Sequence, residues 1–272
     1  MVVLTILSSV EKLIKSLESY YDVITSLSKL STVTDLVEER TSDLELSPAG
    51  DGVEIVFSDV SFRFADQKPI LSNLNFKIPK NSLCVINGRL GAGKSLLLNI
   101  LAGFYEPSDG SILFDKVSVR NLDKDAFRKL TGIYLDDLTI IKATLLENIT
   151  VGKENVHTHD IMKLLEAWGI EDFTTQFTEG LYTPLSETDT ELSFSSRKKI
   201  LLLRAMLGPK KLLLLEDPVE GMNEDFAKRF MEYIHTIKKH TTVVIVTQNR
   251  ELAKQADVVL TLNQGTVMME DL

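Results

Sequence analysis

Eight consecutive residues, Gly-Arg-Leu-Gly-Ala-Gly-Lys-Ser from Gly88 to Ser95, combine glycine, lysine and serine at the intervals of a phosphate-binding loop. Glycine lets the backbone curl so that successive N–H groups point inward at phosphate oxygens. Lys94 would supply a fixed positive charge for the outer phosphates, and the Ser95 hydroxyl could ligate Mg²⁺. The residues predicted to bind the nucleotide phosphates are Gly88, Arg89, Leu90, Gly91, Ala92, Gly93, Lys94 and Ser95.

The segments on either side of these eight residues support this interpretation. Residues 83–86 are apolar and predict a buried strand, and residues 95–102 predict a helix. A helix that begins at the loop adds the positive end of its dipole to the phosphate site. The alternative is a glycine-rich turn with an incidental lysine, but it does not explain why every position of the P-loop pattern is filled.

Two later segments narrow the class of protein. Residues 192–205 read Leu-Ser-Phe-Ser-Ser-Arg-Lys-Lys-Ile-Leu-Leu-Leu-Arg-Ala, and residues 212–218 are an apolar strand that ends in Glu216 and Asp217. In their order and spacing after the loop, these segments resemble the nucleotide-binding domain of ABC transporters, most closely the exporter kind. Residues 105–115, 144–149 and 256–265 resemble further segments of that family.

The resemblance extends from about residue 53 to the end of the sequence, and it implies the ligands ATP and Mg²⁺. Phe64 falls at the aromatic position that stacks on adenine, although it could instead be a core phenylalanine. The implied metal ligands are Ser95, Asp136 and Glu216. The implied catalytic residues are Glu216, Asp217 and Gln248, and Ser193 is implied to meet nucleotide across a dimer of two such domains.

Several of these positions depart from the family pattern. Asp136 stands where a glutamine is usual, Phe194-Ser195 replaces a glycine pair, Glu216-Asp217 reverses Asp-Glu, and Gln248 replaces a histidine. A misplaced general base forfeits roughly 10²–10⁴ in rate, and a lost donor to the phosphate about 10²–10³. We therefore expect ATP binding with weak hydrolysis, because binding depends mainly on the intact loop and on Phe64.

Three functional hypotheses follow from the resemblance. The leading one is the ATP-binding domain of an exporter, coupling ATP binding and possible slow hydrolysis to transport across a membrane. The second is a non-hydrolysing regulatory ATP-binding domain that pairs with a competent partner. The third is an interaction module that kept the fold and lost nucleotide binding, and the intact loop argues against it.

The hydrophobic pattern predicts an α/β arrangement with a parallel sheet, an antiparallel region and a helical insertion. The resemblance implies a P-loop NTPase (RecA-like) parallel-sheet core with an antiparallel β subdomain and a helical subdomain. Apolar runs at residues 83–86, 212–215 and 243–246 suit central strands that are covered on both faces. Short segments rich in β-forming residues predict the antiparallel region at residues 53–57, 60–64, 74–78 and 112–114. Helices are expected at residues 160–168 and 196–207.

The first part of the chain is predicted to be separate from this domain. Apolar side chains spaced by three and four, between about residues 8 and 37, predict one face of a helix that precedes the domain. We expect residues 1–48 to be this helix and a linker, and residues 49–272 to be the ATP-binding domain. The helix could fold back onto the domain, whereas the resemblance implies the end of a membrane-domain helix and its connector.

Composition limits the other possibilities. The 272 residues carry a formal net charge of -9, which disfavours nonspecific attraction to nucleic acid. With only Cys84, no intramolecular disulfide can form. No stretch approaches the roughly 20 apolar residues that cross a bilayer. The resemblance implies a soluble domain at the cytoplasmic face of a membrane. Its implied partners are a second nucleotide-binding domain, identical or different, and a transmembrane domain in the same polypeptide.

Overall fold

A computed structural model describes residues 1–36, 51–65, 68–153, 156–186 and 192–270. The chain divides into two compact units, Met1–Thr41 and Ser42–Leu272. The helices are α1 (Val2–Thr34), α2 (Lys94–Leu101), α3 (Lys124–Leu130), α4 (Leu145–Thr150), α5 (Thr158–Ala167), α6 (Phe194–Met206), α7 (Glu224–Ile237) and α8 (Arg250–Ala253). The strands are β1 (Ile55–Phe62), β2 (Leu71–Ile78), β3 (Leu83–Gly88), β4 (Asp109–Phe114), β5 (Val117–Ser118), β6 (Thr131–Tyr134), β7 (Ala143–Thr144), β8 (Pro184–Leu185), β9 (Leu212–Glu216), β10 (Thr242–Val246), β11 (Val258–Asn263) and β12 (Thr266–Glu270).

The first unit contains the single long helix α1. It begins at Val2, several residues before the predicted start, and the apolar character of the sequence also continues back to Val2. Among the described residues, no helix combines the length and the apolar character that crossing a bilayer requires. The assignment of residues 1–48 to a membrane-domain helix and connector stays a prediction.

A six-stranded sheet forms the centre of the second unit, in the order β12-β11-β3-β10-β9-β6. The pairs from β11 to β6 are parallel, and β12 joins the edge antiparallel to β11. This confirms the predicted parallel-sheet core, and the three apolar runs named above are its adjacent central strands.

The apolar strands of this sheet are buried on both faces. In β3, Cys84 and Ile86 pack into one hydrophobic cluster with α2, whereas Leu83 and Val85 pack into a second cluster with α6 and α7. Each run must therefore be apolar at successive positions, because both faces of a parallel sheet are covered by helices.

The antiparallel sheet has the order β2-β1-β4-β5, and one detail of its prediction was wrong. Residues 53–57 and 60–64 were expected to form two strands, but β1 runs continuously from Ile55 to Phe62 with shifts of register after Phe57. Asp59 takes a left-handed conformation (φ 51°). That conformation accommodates the shift in strand register without ending the strand, as a β-bulge does.

The helical region contains both predicted helices. Trp168 ends α5, and its side chain is fully buried against Phe226 and Phe230. Helix α6 begins at Phe194, two residues before its predicted start, because the Ser193 hydroxyl accepts a hydrogen bond from the Ser196 N–H (3.1 Å) and caps the helix.

A close approach between β6 and α6 gives a test of this packing. A Cβ atom at Gly132 would overlap the Ala205 carbonyl oxygen and lie 2.5 Å from Leu213 Cδ2. We expect Gly132→Ala to lower the free energy of unfolding by about 1–3 kcal/mol, the usual cost of overpacking. Urea denaturation measures this change.

Gly208→Ala is the matched control, because a Cβ at Gly208 (φ 83°) would meet no atom within 4 Å. It should lose about 1–2 kcal/mol, from backbone strain without overlap. A loss below about 1 kcal/mol in Gly132→Ala would contradict the close approach at Gly132.

Candidate nucleotide-binding site

The glycine-rich loop connects β3 to α2, as the sequence predicted. Gly88 and Gly93 both have positive φ angles, of 155° and 99°. A Cβ at Gly88 would overlap the Leu262 carbonyl oxygen, and a Cβ at Gly93 would lie 2.9 Å from Leu71 Cδ2. Gly88 is therefore required by the close approach of the Leu262 backbone, and Gly93 by its left-handed conformation.

Lys94 is held inside the curve of this loop. Its side chain is 8% exposed, and Nζ donates hydrogen bonds to the carbonyl oxygens of Gly88 (2.9 Å) and Arg89 (3.1 Å). Two neutral carbonyl groups satisfy the ammonium only in part. An anionic phosphate oxygen would form a stronger, charge-assisted hydrogen bond with it.

Three oxygen-bearing residues meet beside the loop. The Ser95 hydroxyl donates a short hydrogen bond to Glu216 Oε1, and the Asp136 N–H donates to Glu216 Oε2 (3.3 Å). Hydroxyl and carboxylate oxygens are the ligands that Mg²⁺ prefers, so the donor set at Ser95 and Glu216 fits that ion. Within the described ranges, no group of three or more His, Cys, Asp or Glu side chains forms a metal site by itself.

The end of β9 carries Asp217 in an uncommon backbone conformation. Its φ angle is 41°, in the positive range that few non-glycine residues adopt and in which aspartate and asparagine are enriched. The Asp217 N–H donates to the Val246 carbonyl oxygen (2.8 Å), which ties this residue to the end of the neighbouring strand β10. Gln248 lies two residues beyond that strand end, with an exposed side chain.

Several carboxylates lie near Tyr134 at this edge of the sheet. Burial raises the pKa of the Tyr134 hydroxyl above its usual value, and the negative charges of four nearby acidic residues raise this pKa further. Those residues are Asp136, Glu216, Asp217 and Glu220. An ATP phosphate chain entering this region needs cations to offset their repulsion.

Phe64 is exposed enough to receive a base. Its side chain is 40% exposed, and its ring lies edge-to-face against Tyr105, with centroids 5.7 Å apart, and against Phe62 at 5.0 Å. Sequence reasoning missed the support from Tyr105. The residue belongs to the family-like segment 105–115, but nothing in the pattern places it against Phe64.

The start of α6 carries the altered family segment. Ser193 uses its hydroxyl to cap its own helix and to hydrogen-bond with Ser196 Oγ (2.9 Å). Phe194 is 60% exposed, and its ring packs against Gly221, where a Cβ would lie 3.0 Å from the Phe194 Cε1 atom. The roles of Ser193 and of the other predicted site residues stay predictions.

A buried network connects the other end of α6 to the segment after Asp136. The fully buried Asn148 donates through Nδ2 to the carbonyl oxygens of Ile141 (3.0 Å) and Thr144 (3.0 Å). Arg204 of α6 donates to the Asn148 carbonyl oxygen (2.8 Å) and side-chain oxygen (3.1 Å). These bonds fix the position of α4 relative to α6.

A glycine-rich loop leaves a central parallel strand and leads into a helix, and the carboxylates at the end of β9 lie at the same edge of the sheet. This arrangement defines a P-loop nucleotide-binding protein. Comparison with known families identifies the family within this class. The family model described as "ABC transporter" matches residues 71–220, more than half of the chain. The chain therefore belongs to the ABC transporter family, as the resemblance predicted.

Curated relatives agree with this assignment. The chain is 27% identical over 217 residues to the uncharacterized ABC transporter ATP-binding protein YknV of Bacillus subtilis. It is 27% identical over 217 residues to the ATP-dependent lipid A-core flippase of Idiomarina loihiensis. It is 25% identical over 264 residues to the alpha-hemolysin translocation ATP-binding protein HlyB of Escherichia coli.

These alignments cover 80%, 79% and 97% of this chain but only 36%, 37% and 37% of the respective relatives. The chain thus spans less than half the length of each relative. A solved bacterial Atm1-family ABC exporter with ATP bound has the same fold, with a TM-score of 0.80 at 21% identity. That match covers 90% of this chain and 43% of the solved chain. The expected ABC-type nucleotide-binding domain is confirmed, and the named relatives and the solved structure include exporters, as the resemblance predicted.

Replacing Lys94 tests the loop directly. We expect Lys94→Ala to weaken ATP binding about a hundredfold or more, because the phosphates lose a buried cationic partner. Isothermal titration calorimetry with Mg-ATP measures the change. The exposed Lys239, replaced by alanine, is a control for the same change in net charge. Unchanged affinity of Lys94→Ala would contradict the assignment of the loop.

Replacing Phe64 tests the base-stacking position. Loss of stacking on one base costs about 1–3 kcal/mol, so Phe64→Ala should weaken ATP binding roughly fivefold to a hundredfold. Phe64→Tyr keeps an aromatic face and should bind ATP like the original chain. Fluorescence titration with an ATP analogue checks both, and equal affinities for the alanine and tyrosine variants would place Phe64 outside the adenine site.

Proposed function

We propose that this chain is the ATP-binding domain of an ABC exporter and couples ATP binding, with slow hydrolysis at most, to transport across a membrane. The observation that carries the proposal is Lys94, held inside an intact loop, where its ammonium donates to the carbonyl oxygens of Gly88 and Arg89. ATP would exchange those bonds for contacts with its outer phosphates.

The other residues have distinct roles in this proposal. Ser95 and Glu216 would hold Mg²⁺, with Asp136 as a further oxygen donor at its edge. The ion would offset phosphate charge and polarise the γ-phosphate. Phe64 would carry the adenine. Asp217 would polarise the attacking water, and Gln248 would hydrogen-bond the γ-phosphate.

Two features argue that hydrolysis is slow. Asp217 is one methylene shorter than the glutamate that the family pattern places there, so its carboxylate reaches less far toward a water molecule. Gln248 can donate a hydrogen bond but cannot carry the positive charge of a protonated histidine. Either change alone removes part of the stabilisation that the transition state requires.

The proposed assembly follows the family. Two nucleotide-binding domains, identical or different, would pair so that each loop faces the α6 start of the other domain. A transmembrane domain in the same full-length polypeptide would hold the pair at the cytoplasmic face of a membrane. The names of relatives that combine ATP-binding and permease functions support this.

A regulatory domain that binds ATP without hydrolysing it is the second candidate. Phe194 favours it, because its exposed ring stands where a glycine would let a partner's phosphate approach closely. Steady-state Mg-ATP turnover by the chain, with Lys94→Ala as the blank, separates the candidates. Turnover above the blank supports an ATPase, and tight ATP binding with turnover equal to the blank supports the regulatory domain.

Restoring the usual order of the two carboxylates should increase turnover. The paired change Glu216→Asp and Asp217→Glu moves the base one methylene closer to water and keeps both charges. General-base placement is worth about 10²–10⁴ in rate, so we expect at least a tenfold gain in kcat in a coupled phosphate-release assay. Absence of any gain would locate the defect at Gln248 or Phe194 instead.

A further inference from the structure

Lys198 is a buried lysine that the sequence pattern did not single out. It lies in the second turn of α6, and its side chain is only 2% exposed. A lysine this deeply buried is rare unless its charge is satisfied. The groups around its ammonium therefore indicate the role of this residue.

The Lys198 ammonium joins α6 to the turn that follows β9. Nζ donates to the carbonyl oxygens of Asp217 (2.8 Å) and Glu220 (2.8 Å). The Glu220 N–H also donates to the Asp217 carbonyl oxygen (3.2 Å). The Asp217 carbonyl thus accepts two hydrogen bonds, and one of them comes from a cation.

Two aromatic rings enclose the same ammonium. Its nitrogen lies 5.7 Å from the centroid of the Tyr134 ring and 5.3 Å from that of Phe194, both within the range of cation–π attraction. Burial lowers the pKa of Lys198, while the charges of Asp136, Glu220 and Asp217 oppose that change. Negative charge on the turn therefore favours the ammonium form.

The backbone that Lys198 holds has an uncommon conformation at one residue. Asp217 has a positive φ angle of 41°, which aspartate adopts more readily than most residues but which few non-glycine residues show. Its N–H is fixed to Val246 and its carbonyl to Lys198. These two bonds hold the main chain of Asp217 on both sides of its Cα atom, from which the carboxylate side chain extends.

We infer that Lys198 is a positioning residue for the proposed ATPase reaction, which holds the main chain of Asp217 so that its carboxylate can polarise water. This inference rests on the proposed function. Lys198 touches neither nucleotide nor water in this role, so its loss should affect the chemical step more than substrate binding.

The test compares Mg-ATP kinetics of the full chain with those of Lys198→Met and Lys198→Arg. Methionine fills a similar volume but cannot donate, whereas the arginine guanidinium can donate to both carbonyl groups. We expect Lys198→Met to lower kcat roughly tenfold to a hundredfold, the range that small misplacements of catalytic groups cause. KM should stay within about twofold, and Lys198→Arg should recover part of kcat.

Lys199→Met is the matched control on the same helix. The Lys199 ammonium lies over the rings of Phe173 and Phe226, at 5.5 and 5.8 Å, away from the Asp217 turn. Its replacement should leave kcat unchanged. Equal loss of kcat in the Lys199 and Lys198 variants would overturn the inference, because both would then report general damage to α6.

Equilibrium ATP binding, measured in parallel, separates this inference from the proposed function. No ATP binding by the unaltered chain would refute the proposed function itself. Retained ATP binding with unchanged kcat in Lys198→Met would overturn only the inference. Loss of both ATP binding and turnover in this variant would also overturn it, because that result indicates a structural role. Turnover of the unaltered chain no higher than that of Lys94→Ala would overturn it too, because Asp217 would have no chemistry to support.

Discussion

The parallel alignment of β3, β10 and β9 is the constraint on which the site depends. Val243 of β10 stands opposite Leu83 on one side and Leu213 on the other, so the three strands run in step. Their carboxyl ends consequently reach the same edge of the sheet. The phosphate loop leaves this edge from β3 and the paired carboxylates leave it from β9, although more than a hundred residues separate them in the sequence. Burial of both faces of these strands fixes the alignment.

Helix α6 connects the parts of the molecule that this edge brings together. Its first residues carry Ser193 and Phe194, its second turn reaches Asp217 through Lys198, and its last turn holds Asn148 through Arg204. A displacement at one end of a stiff, hydrogen-bonded helix has to be accommodated at the other.

The sequence predicted the parts of the fold that depend on local patterns. Uninterrupted apolar runs indicated β3, β9 and β10, because covered strands need apolar residues on both faces. The loop at residues 88–95 was recognisable because its glycines are required sterically, as Gly88 and Gly93 show. The continuity of β1 was missed, because an aspartate between two apolar segments is typical of a turn. In the structure Asp59 takes a left-handed conformation and the strand continues through it.

Long-range contacts between side chain and backbone were not predictable. Lys198 bonds to carbonyl groups 19 and 22 residues later, and every residue offers a carbonyl group, so no residue type reveals the partner. The pairing of Phe64 with Tyr105 joins two different segments and has the same limitation. The roles of the site residues also depend on nucleotide and partner, which the chain alone does not specify.

The net charge of the chain would also affect how quickly a nucleotide arrives. Free ATP is an anion, and the chain that it would approach has a net charge of -9. Like-charged partners associate faster as dissolved ions screen their repulsion, with a screening length of about 10 Å at 0.1 M. The rate of ATP capture should therefore rise with ionic strength, opposite to the behaviour of proteins that attract their ligands electrostatically.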